Sequence, residues 1–283
     1  MNKYLILILL VLTAMCSCGN NRGGALQSKD NENTDSTLCK FSNIKTEKMF
    51  YCLDEERDTL YFHNTFTAFW PEIINGKPCE ELQQALFRAM TDSAELNRLD
   101  IVTDFLLDPS NYTDVEKKSL VPATAVNYDD MKLSTSEVRV RMQSMDERLL
   151  TYHLGTSSYL AGGAHGIYGN NYVTYDLKTN KAVTFNDIIA DTTLLRAAVL
   201  KSIKATYGYD KDDLFIPDNG LLPLPRDFFF DGTVLHVVYQ VYEIASYAQG
   251  AIDAPIYPYM LKPEEMKRLF TPYGLELTDY SIE

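Results

Sequence analysis

Val138, Val140 and Met142 alternate with Arg139, Arg141 and Gln143. That period of two predicts a strand with one apolar and one charged face. Runs rich in Tyr, Phe, Val and Thr at residues 49–53, 59–70, 149–160, 168–177, 182–185, 233–243 and 254–261 predict further strands. Asp54 to Asp58 reads as a charged turn, and Pro71 is expected to stop the strand before it. Phe228-Phe229-Phe230, the Asp231-Gly232 dipeptide and the following run read as a hairpin. A different period marks the helices. Leu82, Ala85, Leu86, Ala89 and Met90 fall at i, i+3, i+4, which predicts a helix from Glu80 to about Asn97. The pattern continues less regularly to Leu107, and Asp108-Pro109-Ser110-Asn111 breaks it. Leu194, Leu195, Ala198, Val199 and Ile203 predict a second helix that starts at Asp191 or Thr192 and ends at Gly208. Residues 209–226, with three prolines, read as a long loop. Pro263 opens a short helix with Met266, Leu269 and Phe270 inward, closed by Pro272 and Gly274.

Strands outnumber helices, so the expected class is α+β with antiparallel sheets. The expected division is two small domains, 41–135 and 136–283, each carrying one main helix.

The first residues follow another rule. Met1-Asn2-Lys3 precedes an apolar run, residues 4–14, shorter than the roughly 20 residues a bilayer-spanning helix needs. This predicts a secretory signal over 1–17. Met15-Cys16-Ser17-Cys18 resembles a bacterial lipobox, and the small Ser17 makes Cys18 the expected acylation site. An acylated Cys18 would hold the chain to a membrane through its lipid. Residues 18–40 read as a flexible tether, being largely polar and without periodicity. Gly19 to Gly24 contains no acidic run, which favours an anchor facing the periplasm.

The chain has 283 residues, 46% hydrophobic, with 26 Lys and Arg against 39 Asp and Glu, a net charge of -13. A nucleic-acid partner is not expected, because phosphate binding needs clustered positive charge. An acidic surface steers basic partners instead. Cys39, Cys52 and Cys79 are odd in number, so an oxidising compartment could pair two of them and would leave one thiol over; the sequence does not choose the pair. His63, His153, His165 and His236 are scattered and no Cys-x-x-Cys occurs, so no metal site is expected. Nor does a P-loop, H-E-x-x-H or G-x-S-x-G occur, and no cofactor is expected.

The densest small-residue segment is Ala161-Gly162-Gly163-Ala164-His165-Gly166. It precedes Tyr175-Asp176-Leu177-Lys178-Thr179-Asn180-Lys181, then Phe185-Asn186-Asp187-Ile188, then Tyr242-Glu243-Ile244-Ala245-Ser246-Tyr247-Ala248-Gln249-Gly250. In that order these segments resemble the C-terminal domain of RsiV-type anti-sigma factors and related bacterial envelope proteins. Phe69-Trp70-Pro71-Glu72-Ile73 with the helix after it is similar to the domain that precedes it there and in PdaC-type peptidoglycan deacetylases. The resemblance implies an outer region that binds lysozyme. It departs from the family in having a lipobox where a transmembrane helix is expected, in lacking a deacetylase domain, and in Ser246 where a proline is expected. Together these readings give a lipid-anchored envelope binding protein, for a lysozyme-like protein or a peptidoglycan fragment. Gly162, Gly163, His165, Ser246 and Tyr247 are the candidate contacts and no catalytic residue is assigned. The competing readings are a cell-wall glycan or peptide hydrolase using His165 and Glu243, and a structural lipoprotein without a specific ligand. His165 is expected to be structural, hydrogen-bonding the glycine turn or the facing loop.

Overall fold

The computed structural model describes residues 38–126 and 131–278. The predicted signal, Cys18 and the tether as far as residue 37 lie outside the described residues. Among the described residues no helix is long and apolar enough to cross a membrane.

The alternating runs fold as predicted into strands, and the class is α+β. β1 (Cys39–Leu53) and β2 (Thr59–Ile74) form a long antiparallel hairpin. The short β3 (Lys77–Pro78) turns back on β2 through Asn75 and Gly76, both at positive φ. Two helices follow, α1 (Glu80–Thr91) and α2 (Leu99–Leu106). β4 (Val121–Pro122) pairs with the far end of β1. β5 (Leu133–Met145), β6 (Leu149–Tyr159), β7 (Ile167–Asp176) and β8 (Lys181–Ala182) complete a sheet of order β4-β1-β2-β5-β6-β7-β8, with β3 beside β2. After α3 (Phe185–Ile188) and α4 (Thr192–Tyr207) come β9 (Asp227–Asp231), β10 (Val234–Tyr239) and β11 (Ile252–Ile256). These form an antiparallel sheet of order β11-β10-β9. α5 (Pro263–Leu269) and α6 (Pro272–Leu277) follow.

Several boundaries differ from the expectation, each for a local reason. β2 runs through Pro71 because the ladder bulges there, with Phe41 opposite Pro71 and Lys40 opposite Ile73. A bulge is where a strand tolerates a residue without an N–H. The helix from Glu80 stops at Thr91, since Asp92 takes a left-handed conformation at φ 51°. Phe185 opens α3 and does not extend a strand. Pro272 and Gly274 do not close a helix. Pro272 opens α6, where Thr271 caps by accepting from Gly274 N. The hairpin loop is Gly232-Thr233, one residue later than expected, with Asp231 paired to Val234.

The division near 135/136 also changes. Position 136 lies inside β5, and β5 pairs in parallel with β2 across the α1–α2 crossover, so both segments share one sheet. The cores part further along. α1 and α2 cover one face of the large sheet, where Leu82, Leu86 and Val102 meet Phe66, Val140, Tyr152 and Leu154. In the second core α4 lays Leu195, Val199 and Ile203 over Leu235, Val237, Ile252 and Ala254 of the small sheet.

All three described cysteines are thiols. Cys39 and Cys52 stand at opposite ends of the 15-residue β1, about 40 Å apart at a strand rise of about 3.3 Å. A disulfide needs Cα atoms within about 7 Å, so that pair is excluded.

Strand directions fix where loops open. The start of β1, the end of β2 and the start of β6 share one end of the large sheet. The β6–β7 loop, holding the glycine-rich segment, opens at the other end. The 11 residues of β6 separate these ends by about 35 Å.

Candidate functional site

The glycine-rich loop is built by its own backbone. Gly162 takes φ +71°, a conformation that a side chain resists, and Gly163 N donates to Leu160 O at 2.9 Å. At Gly166 an added Cβ would lie 2.8 Å from Ser158 O, so only glycine lets the returning chain pass so close. Tyr159 Oη donates to Gly163 O and Ser134 Oγ accepts from Ala161 N, which ties the loop to β6 and β5. His165 Nδ1 lies 2.9 Å from Gly166 O. A carbonyl only accepts, so Nδ1 carries a proton in this contact.

The ring of His165 stacks on Tyr247, with centroids 4.3 Å apart and 25° between planes. Two segments 82 residues apart in sequence therefore meet face to face (247 minus 165). Tyr168 meets the same Tyr247 edge-on at 5.9 Å, and Tyr242 lies at 5.7 Å. Tyr247 is half-buried among them, while Tyr242 is 51% exposed and holds φ 65°. Gly162, Gly163 and His165 are exposed. Ser246 is occupied as a cap: its N–H and Oγ both donate to Gln249 Oε1, at 2.9 and 2.8 Å. Glu243 is occupied too, its Oε2 accepting from Gln240 N at 2.9 Å, and it makes no hydrogen bond to His165.

Gln240, absent from the sequence-derived candidates, holds this junction together. Its Nε2 donates to Asn170 O and its Oε1 accepts from Asn170 N, so one side chain pairs with β7 as a neighbouring strand would. Nε2 also reaches Asp227 Oδ2 at 3.2 Å, and burial raises the Asp227 carboxyl above its ordinary value. Beyond Asn170, Arg141 Nη2 donates to His153 Nδ1 at 3.3 Å, and His153 Nε2 donates to Asn170 Oδ1 at 2.8 Å. Burial lowers the pKa of His153; the Asn170 contact opposes this and the Arg141 charge adds to it. Tyr172, Phe229 and His236 then stack in turn at 4.4 Å each, and Asp253 holds His236 Nδ1 at 2.9 Å. Polarity alone would not have singled out Gln240, because its partner is backbone 70 residues away.

Beside the aromatic junction runs a groove of about 380 Å³. Phe105 and Leu106 of α2 line it from above, and Ile167, Tyr168 and Gly169 of β7 lie along it. Tyr168 thus belongs both to the groove and to the ring cluster on Tyr247. A second cleft of about 440 Å³ lies between α1 and α2 above Trp70 and Phe87, which are 4% and 3% exposed. Among its polar groups Arg98 pairs with Asp100, Gln84 with Asn97 O and Gln83 with Pro71 O, while Glu80 and Glu81 also line it. Among the described residues no group of His, Cys, Asp and Glu is arranged to hold a metal.

Together these elements define an α+β protein in which a small sheet is joined to a large one along β7, through side-chain hydrogen bonds to Asn170 and Tyr172. Residues 177–257 match the family model described as a protein of unknown function, DUF3298. No curated protein matches. A crystal structure of a DUF3298 family member from Bacteroides fragilis is similar at a TM-score of 0.57 and 17% identity, over 84% of this chain and 95% of that one. A DUF3298 family protein from Pseudomonas aeruginosa is similar at 0.52 and 15%, over 83% and 96%. At these identities the likeness is one of fold. The family match covers the segment from the end of β7 to the end of β11 and supports a domain of unknown function there.

Proposed function

We propose that this chain is an envelope binding protein, held to a membrane by lipid on Cys18, whose contact surface is the junction of loops 161–166 and 240–250. The His165–Tyr247 stack carries the reading, because it brings two remote loops into one aromatic surface beside a groove. Tyrosines offer wide, stiff contact area with a polar tip, as recognition surfaces require. The ligand in this reading is a peptidoglycan fragment or a lysozyme-like protein that acts on peptidoglycan. A basic muramidase would suit a chain of net charge -13.

The test is retention of isolated sacculi and of a basic muramidase by the lipidated full chain in detergent, beside Tyr247→Ala. The variant removes the ring shared by His165, Tyr168 and Tyr242, and binding is expected to weaken about tenfold or more. Retention of neither ligand at low ionic strength, or equal retention by the variant, would retire the proposal.

A further inference from the structure

The helix-covered face of the large sheet changes chemistry as it leaves its cover. In register across β5, β6 and β7, the rank Val140, Leu154, Asn171 is followed by Val138, Thr156, Gly169, then by Ser136, Ser158, Ile167. Side chains two apart share a face, so apolar positions give way to hydroxyls along one continuous surface. α2 ends at Leu106, and Phe105, 36% exposed, stands over the newly uncovered strip. This strip is the floor of the groove.

Two features of that floor bear on the chemistry of an occupant. The hydroxyls of Ser136 and Ser158 have no protein partner among the described residues, and Thr156 Oγ1 makes only a 3.5 Å contact to Gly169 O. No residue lining the groove is Asp, Glu, Lys, Arg or His, in a chain with 65 Asp, Glu, Lys and Arg residues (26 plus 39). A charged occupant would be desolvated there without a counter-charge. We infer that the groove binds an uncharged, hydroxyl-rich ligand, a short segment of neutral saccharide. Phe105, Leu106 and Tyr112 meet the C–H faces of the sugar rings, and the serine and threonine floor meets their hydroxyls. The volume lies within the range of small-ligand pockets. This rests on the reading of the chain as an envelope binder and adds the chemistry of what it grips.

Chitotriose, a neutral oligosaccharide, is titrated into the lipidated full chain by calorimetry. Saturable binding is expected, equal at low and high salt because no charge lines the groove. Thr156→Val with Ser158→Ala is expected to weaken it about tenfold, each lost hydroxyl removing one hydrogen bond. Should the double variant fail to fold, Ser136→Ala alone is expected to weaken binding about three- to tenfold. No saturation by about 10 mM, insensitivity to these variants, or occupation of the groove by a neutral tripeptide instead would overturn the inference. Sacculus retention without chitotriose binding would sink this inference alone, leaving the contact surface proposed above intact.

Discussion

Asp176→Ala is expected to cost about 3–4 kcal/mol of stability, the usual result of removing one partner from a buried ion pair. Asp176 is 0% exposed at the end of β7. Its carboxylate meets Arg148 Nη2 at 3.0 Å and accepts from Tyr273 Oη at 2.8 Å, Lys178 N at 2.7 Å and Thr179 N at 3.2 Å. Burial alone would raise its pKa; the hydrogen bonds from Tyr273, Lys178, Thr179 and Arg148 outweigh burial and hold it below the ordinary 3.8. A depressed carboxyl contributes stability above its unfolded value, and that contribution is lost as pH falls through the folded one. The deficit of the variant should therefore be full at neutral pH and shrink below about pH 4. Melting curves at pH 7 and pH 3 test this, and an equal deficit at both would contradict it. Tyr273, its hydroxyl pushed up to about 12 by burial and by Asp176, brings α6 into the same network. Losing Asp176 would thus unfasten α6 from the large sheet.

Gly274→Ala is expected to be nearly as damaging, for a steric reason. A Cβ at Gly274 would press into Ile188 O, with Ile188 Cα at 3.0 Å and C at 3.1 Å. Those atoms are backbone of α3 and cannot turn aside as a side chain would. Ordinarily alanine favours a helix by up to about 1 kcal/mol over glycine. Here overpacking should prevail, at about 3 kcal/mol, lowering the melting temperature by roughly 10 °C in a chain of this size. An unchanged or raised melting temperature would show that α3 and α6 move apart freely.

Gly274 also marks where sequence reading reaches its limit. Beside Pro272 it reads as a stop signal, because the contact that requires glycine lies 86 residues away, at Ile188 (274 minus 188). α4 was fully legible: its stripe, its Asp191 cap and its Gly208 end are all local. The strand at Val138 and Val140 was legible for the same reason. Met142 was not, because the β5–β6 register shifts between Met142 and Ser144 and leaves Met142 37% exposed. The parallel pairing of β2 with β5 has no local signal, since it depends on a crossover through two helices. The candidate site divides the same way. Glycine spacing exposed the 161–166 loop, whereas the His165–Tyr247 stack, the Gln240 clamp and the hydroxyl floor exist only once distant strands are in register.

Amide hydrogen exchange of the lipidated full chain, with and without solubilised sacculus fragments, tests most directly that this end of the large sheet is the contact surface. Slowed exchange is expected at residues 156–169 and 240–250, with the α1–α2 cleft unchanged. Protection over that cleft, with both loops exchanging as in the free protein, would contradict the account.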